Sequence, residues 1–348
     1  MKRMGDVCNK TPVHFSVPQV PIDYRNKIMF SILLTLILMS ISAPRVFATF
    51  PDASISNGFI NAHVYLPDPD SGYYQGTRFD WSGVIYSLTC NDHEYFGEWQ
   101  YLDDSLVNNR VTGPVDSFEP VGYKEARVGE TFVRFGIGVL KKPEEKEFRW
   151  THTYKIVDHG VWTVEKGDNW IEFEQTVANN HTSYPFVYTK RITATPGLAE
   201  LVIDHRLVNT GDHTFISEVY NHNFFVIDGQ STGPDFVVRF PFKPSFDGDL
   251  KGYATSHGKE LIYLKKIPLG EDIITYLKGF SSSADHHRFA IENTKTKAGV
   301  RMIGDRGMSK LIYWSPATTL CPEPFIDINI PPGQADRWAL RYEFYTVE

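Results

Sequence analysis

Residues 170–178 read WIEFEQTVA. Ile171, Phe173 and Val177 fall on one side of this stretch, and Glu172, Glu174 and Thr176 on the other. A two-residue period belongs to a strand with one buried and one wet face; a helix repeats its apolar positions three and four apart. The same reading extends in both directions. Thr131–Leu140 (TFVRFGIGVL), Leu201–Val208 (LVIDHRLV), Arg288–Asn293 (RFAIEN), Ala298–Ile303 (AGVRMI), Lys310–Trp314 (KLIYW) and Trp338–Val347 (WALRYEFYTV) all give strand signals. Turn formers stand between them: Asp158-His159-Gly160, Lys166-Gly167-Asp168-Asn169, Asn209-Thr210-Gly211-Asp212 and Pro331-Pro332-Gly333. No window of ten residues carries a capped helical stripe, and no repeat of fixed period is visible. No linker divides residues 49–348. The expectation is an all-β chain, one large antiparallel β-sandwich whose curved, aromatic-rich face suits a flat polar ligand.

The composition agrees. The chain has 348 residues, 42% of them hydrophobic and 22% charged, with a net charge of −7. An acidic chain without a Lys/Arg block lacks the footprint that nucleic acid requires, so no nucleic-acid partner is expected. Residues 28–43, IMFSILLTLILMSISA, form an uncharged run behind Arg25 and Lys27, and Val46-Phe47-Ala48 offers a small-residue cleavage site. That is the pattern of a secretory signal. The run is shorter than the roughly 20 residues that span a bilayer comfortably. The expectation is a leader over 1–48 and a secreted or periplasmic domain over 49–348, a monomer or dimer with no stable membrane insertion after cleavage. An uncleaved anchor is the alternative. Cys90 and Cys321 remain after the leader; pairing between them and burial as free thiols are both open.

Three clusters carry chemistry. The first runs from Gly72 to Gly83 (GYYQGTRFDWSG) and on to Asn91–Trp99 (NDHEYFGEW), interleaving rings with Arg78, Asp80, His93 and Glu94. Rings stack on the C–H face of a pyranose, and charged forks bind its hydroxyls. The second is Glu218–Phe225 (EVYNHNFF), in which strand alternation sets Glu218, Tyr220, His222 and Phe224 on one face, with Asn221 and Asn223 flanking the histidine. The third is Trp314-Ser315-Pro316 followed by Cys321-Pro322-Glu323-Pro324. Two prolines fix the backbone around Glu323, and burial there would raise its pKa. No third ligand has suitable spacing beside His286-His287, so no metal is expected, and no cofactor motif is present.

The order of these clusters resembles the aldose 1-epimerase, or galactose mutarotase-like, superfamily. Asn221-His222-Asn223-Phe224-Phe225 is similar to that family's Asn-His-x-Tyr-Phe segment, which carries a catalytic His. Trp314-Ser315-Pro316 with Cys321–Pro324 is similar to the segment of its hexose-6-phosphate mutarotase branch that carries a catalytic Glu. Arg78 sits where those enzymes hold a sugar. The resemblance implies a β-supersandwich, a carbohydrate substrate, His222 and Glu323 as catalytic acid and base, and Arg78, Trp314, Tyr220, His152 and Trp99 as substrate-binding residues. One departure stands out: the family's second His, expected in a His-Gly loop, is missing from Ser117–Glu125 (SFEPVGYKE), and His93 and His152 are the nearest substitutes. The expected function is an exported, carbohydrate-active mutarotase in which Glu323 is the base and His222 the acid. A polysaccharide lyase or another epimerase on the same scaffold, and a carbohydrate binder without turnover, are the alternatives.

Overall fold

The computed structural model describes residues 50–348. The leader, its cleavage site and the anchor alternative lie outside the described residues. Within Phe50–Glu348 the chain is built of antiparallel strands, with two short 3₁₀ turns at Ile227–Gly229 and Ala284–His286. The reading from residues 170–178 holds: Trp170–Val177 is a strand whose residues alternate between buried and more exposed positions. The other strand segments fall where the alternation puts them, most a residue or two longer: Glu200–Asn209, Arg288–Asn293, Ala298–Gly304, Lys310–Pro316 and Ala335–Thr346.

Thr131–Leu140 is different. It is a hairpin of two short strands, Thr131–Arg134 and Gly138–Lys141, rather than one. Gly136 (φ +76°) and Gly138 (φ +131°) occupy backbone regions that L side chains avoid. A Cβ on Gly136 would sit 2.3 Å from the Asp80 carboxylate, and one on Gly138 would sit 2.2 Å from the Asp158 carbonyl. Two glycines two apart therefore turn the chain where the alternation alone suggests continuity.

A ten-stranded sheet packs against a six-stranded sheet. Phe118, Val219, Ile326 and Ile328 of the smaller sheet meet Phe186, Tyr188, Leu207 and Trp338 of the larger one in a shared apolar core. A second core joins Ile171, Phe173 and Ile192 to Ile273, Leu311 and Tyr313. The outer face of the six-stranded sheet is also covered. Tyr74, Phe79 and Trp81 from the N-terminal segment close over Tyr220, Phe224, Cys321 and Phe325. The large sheet, the small sheet and this covering segment form three layers, and the candidate site lies between the second and third.

Candidate active site

The strand Phe215–His222 pairs with Cys321–Ile330, setting Glu218 opposite Asp327 and Tyr220 opposite Phe325. Carried two residues further, that register sets His222 across from Glu323. On the flanks, His222 faces Val115 and Glu323 faces Ile312. Side chains alternate across a sheet, so Tyr220, His222, Glu323, Phe325, Ile312 and Trp314 share the outer face. His222 Nε2 and Glu323 Oε1 are 3.3 Å apart, and both residues are buried. The segments that resemblance paired across a hundred residues of sequence are thus brought together as neighbours.

The strand ends at His222, and the chain then turns sharply. Phe224 takes a left-handed φ of 43°. It does not continue the alternation; it folds back and lies flat on the His222 imidazole, ring centroids 3.7 Å apart and planes within 8°. Phe79 meets the same imidazole edge-on at 5.6 Å, and Trp314 at 5.4 Å. Trp99 stacks on Phe224 at 5.2 Å and meets Trp314 edge-on at 5.2 Å. The Trp314 indole N–H donates to Asp272 Oδ2 at 3.0 Å.

Arg78 donates from Nη2 and Nε to the Tyr220 hydroxyl at 3.1 and 3.3 Å, and from Nη1 to Asn109 Oδ1 at 2.8 Å. Its guanidinium lies over the rings of Phe79, at 4.5 Å, and Trp150, at 4.1 Å. Trp150 and Asn109 were not singled out in the sequence. Trp150 is half exposed and two residues from His152, so its partnership with Arg78 had no local signal. The His152 ring packs edge-on against Tyr154 at 4.6 Å, and its carbonyl receives the Asn108 amide.

The electrostatics separate the two catalytic candidates. Burial pushes the Glu323 carboxyl up to about 7, and the positive charge of Arg78 opposes that rise. Burial, reinforced by Arg78, pushes the His222 imidazole well below its ordinary value. Below about pH 7 the pair therefore holds one proton, and it resides on Glu323. An acid and a base in contact, walled by rings and beside a fixed guanidinium, can move a proton onto one substrate atom and take one from another. Cys321, on the same face, is a free buried thiol, as is Cys90. Burial pushes the Cys321 thiol well up, with the Glu323 charge adding to the effect.

The fold is that of galactose mutarotase-like proteins. Over 84% of its length the chain superposes on all of a galactose mutarotase-like protein from Lactobacillus casei, with 13% identity and a TM-score of 0.50. An aldose epimerase homologue from C. elegans is covered completely by 86% of the chain, with 12% identity and a TM-score of 0.51. The Slr1438 protein of Synechocystis gives a TM-score of 0.53 at 13% identity, across 88% of this chain and 99% of that one. No family model and no curated protein matches the sequence.

Proposed function

We propose that the protein is an exported mutarotase that interconverts the anomers of an aldose, with His222 and Glu323 as its acid–base pair. The observation that carries this reading is the 3.3 Å approach of the two buried groups on one sheet face. Mutarotation acts on two oxygens of a single carbon. The C1 hydroxyl must lose a proton and the ring oxygen must gain one, so the base and the acid must be neighbours. A pure binder has no use for such a pair.

The opposed shifts suggest how the step runs. Glu323, carrying the shared proton, protonates the ring oxygen while neutral His222 takes the proton of the C1 hydroxyl. The C1–O bond of the ring breaks and the aldehyde forms. After rotation about the C1–C2 bond the ring closes on the other face. His222 returns its proton to the C1 oxygen, and Glu323 recovers its own from the attacking hydroxyl. The opposite assignment, Glu323 as base and His222 as acid, describes the closing half of the same cycle. Arg78 lies close enough to offset the charge left on Glu323 in between. Trp314 and Trp99 offer ring faces and edges to the sugar. Export rests on the apolar run of residues 28–43 and the small-residue site at 46–48.

Polarimetry or proton NMR of freshly dissolved α-glucose and α-galactose tests the reading. Wild type should speed equilibration, and a folded His222→Ala, Glu323→Ala double variant should not. The singly protonated pair is the working form in either direction. kcat/KM should therefore fall about tenfold per pH unit above about 7, where Glu323 loses the proton. Equal rates for wild type and double variant would overturn the proposal. Failure of wild type with both sugars would move the search to uronic-acid polymers, where a lyase releases products absorbing in the ultraviolet.

A further inference from the structure

Directly behind the acid–base pair, the interior of the sandwich holds a connected group of buried polar and charged side chains. Asn221 precedes His222 on the strand, so it points inward while His222 points outward. Its amide nitrogen donates to Asp116 Oδ1 at 3.2 Å. Asp116 is paired with Lys190, whose ammonium lies 2.8 Å from Oδ2, 3.3 Å from Asp80 Oδ2 and 3.1 Å from the Ser82 carbonyl. Tyr188 donates to Asp80 at 2.9 Å and lies 3.0 Å from His205 Nδ1. On the other side of His222, the Asn223 amide nitrogen donates to the carbonyl of Pro322, the residue before Glu323, at 2.8 Å. Tyr342 joins the two halves. Its hydroxyl lies 2.9 Å from Asn221 Oδ1 and 2.8 Å from Asn223 Oδ1. Both asparagine nitrogens are committed elsewhere, so both oxygens face the phenol and share its one hydrogen.

Lys190, Asp80, Asp116, Asn221, Asn223 and Tyr342 are all at least 95% buried. Burying polar and charged groups costs free energy even when they are paired, and an apolar core would serve stability as well or better. Such a departure from an apolar core is expected at functional sites. The contacts of this group end at the side chains of the two residues that flank His222 and at the carbonyl immediately before Glu323.

We infer that this inner frame, with Tyr342 at its centre, is a set of positioning residues that fixes the backbone of His222 relative to that of Glu323. The inference rests on the mutarotase reading for its kinetic consequence but not for its structural one. Tyr342→Phe keeps the ring and removes the shared hydrogen, leaving two buried carbonyl oxygens without it. Asn223→Asp keeps the shape and removes the donor to Pro322. Small misplacements of reacting groups cost rate out of proportion to the displacement.

The test combines kinetics with NMR of the His222 imidazole nitrogens in the full domain. In both variants kcat should fall about tenfold or more. KM should stay within about twofold, because the sugar-binding rings are untouched, and the His222 nitrogen shifts should move. A general loss of stability would instead lower the amount of folded enzyme without altering the His222 signal of what remains. Unchanged kcat and unchanged His222 shifts in both variants would overturn the inference. If wild type turns over no sugar, the mutarotase reading fails. The NMR shifts then decide the frame alone: displaced in the variants, it stands; unmoved, it falls. If Tyr342→Phe does not fold, Asn223→Asp supplies the same comparison.

Discussion

Glu323 is held where its charge is unwelcome, and this has a sign that can be measured. Its folded pKa is about 7 against an ordinary 4.5. Between those values the folded chain keeps a proton that the unfolded chain has released. Its contribution to stability is therefore present below 4.5, is lost as pH rises to about 7, and stays lost above. Glutamine is neutral throughout. Glu323→Gln should melt higher than wild type at pH 8, by up to about 3 kcal/mol at 1.36 kcal/mol per pKa unit, and the gap should close near pH 4.5. His222 pulls stability the other way, because its depressed pKa favours unfolding as pH falls below its ordinary 6.5. Both proteins share that term, so the difference isolates Glu323. Scanning fluorimetry at the two pH values makes the comparison; an equal gap at both would place the Glu323 proton elsewhere. The type and neighbours of this residue were legible in the sequence as a carboxylate between two prolines. Its partner His222 was named only through the family resemblance, and their 3.3 Å contact came from the fold.

At the scale of the element, the end of the strand Phe215–His222 is what aims the imidazole. Its outer neighbour comes close: a Cβ on Gly113 would lie 2.5 Å from the Asn223 carbonyl oxygen and 2.9 Å from that of His222. Backbone on both sides leaves no flexible group to yield. Gly113→Ala should push the His222 end of the strand away from Val115, lowering the melting temperature by the equivalent of about 1–3 kcal/mol. Mutarotation should fall by more than the loss of folded protein explains. Thermal melts together with rates per folded molecule test this, and an alanine variant with wild-type rate would show that the strand end tolerates displacement. The alternation of residues 215–222 announced the strand, but not that Phe224 would turn back onto His222. The turn depends on a left-handed residue, and Phe carries no local signal for one. The hairpin at Thr131–Lys141 shows the converse: glycine spacing was present in the sequence and overrode the alternation around it.

For the whole molecule, the cysteines report on how the layers are held. Cys90 and Cys321 are both buried and unpaired. The covering segment, the six-stranded sheet and the ten-stranded sheet are joined by packing and by polar contacts such as Lys190–Asp116. Thiol titration of residues 49–348 in denaturant without reductant should give two thiols, and the native protein should react slowly, because burial raises both pKa values. A single disulfide mass and no titratable thiol would contradict this arrangement.

By itself the sequence determined the fold class and most of the strands. Period-two patterning is local: each strand declares one buried and one wet face within a few residues. It also determined the residue types of the candidate pair, since His222 between asparagines and Glu323 between prolines are local features. Tertiary structure decided what they do together. The register between Phe215–His222 and Cys321–Ile330 sets the histidine beside the carboxylate. Closure of the covering layer removes water from both and reverses the order of their pKa values. The inner frame of Asp116, Lys190, Asn221, Asn223 and Tyr342 draws on four strands and a turn, from residue 116 to residue 342. Distances and desolvation arise only when such remote segments meet, and no window of the sequence contains them.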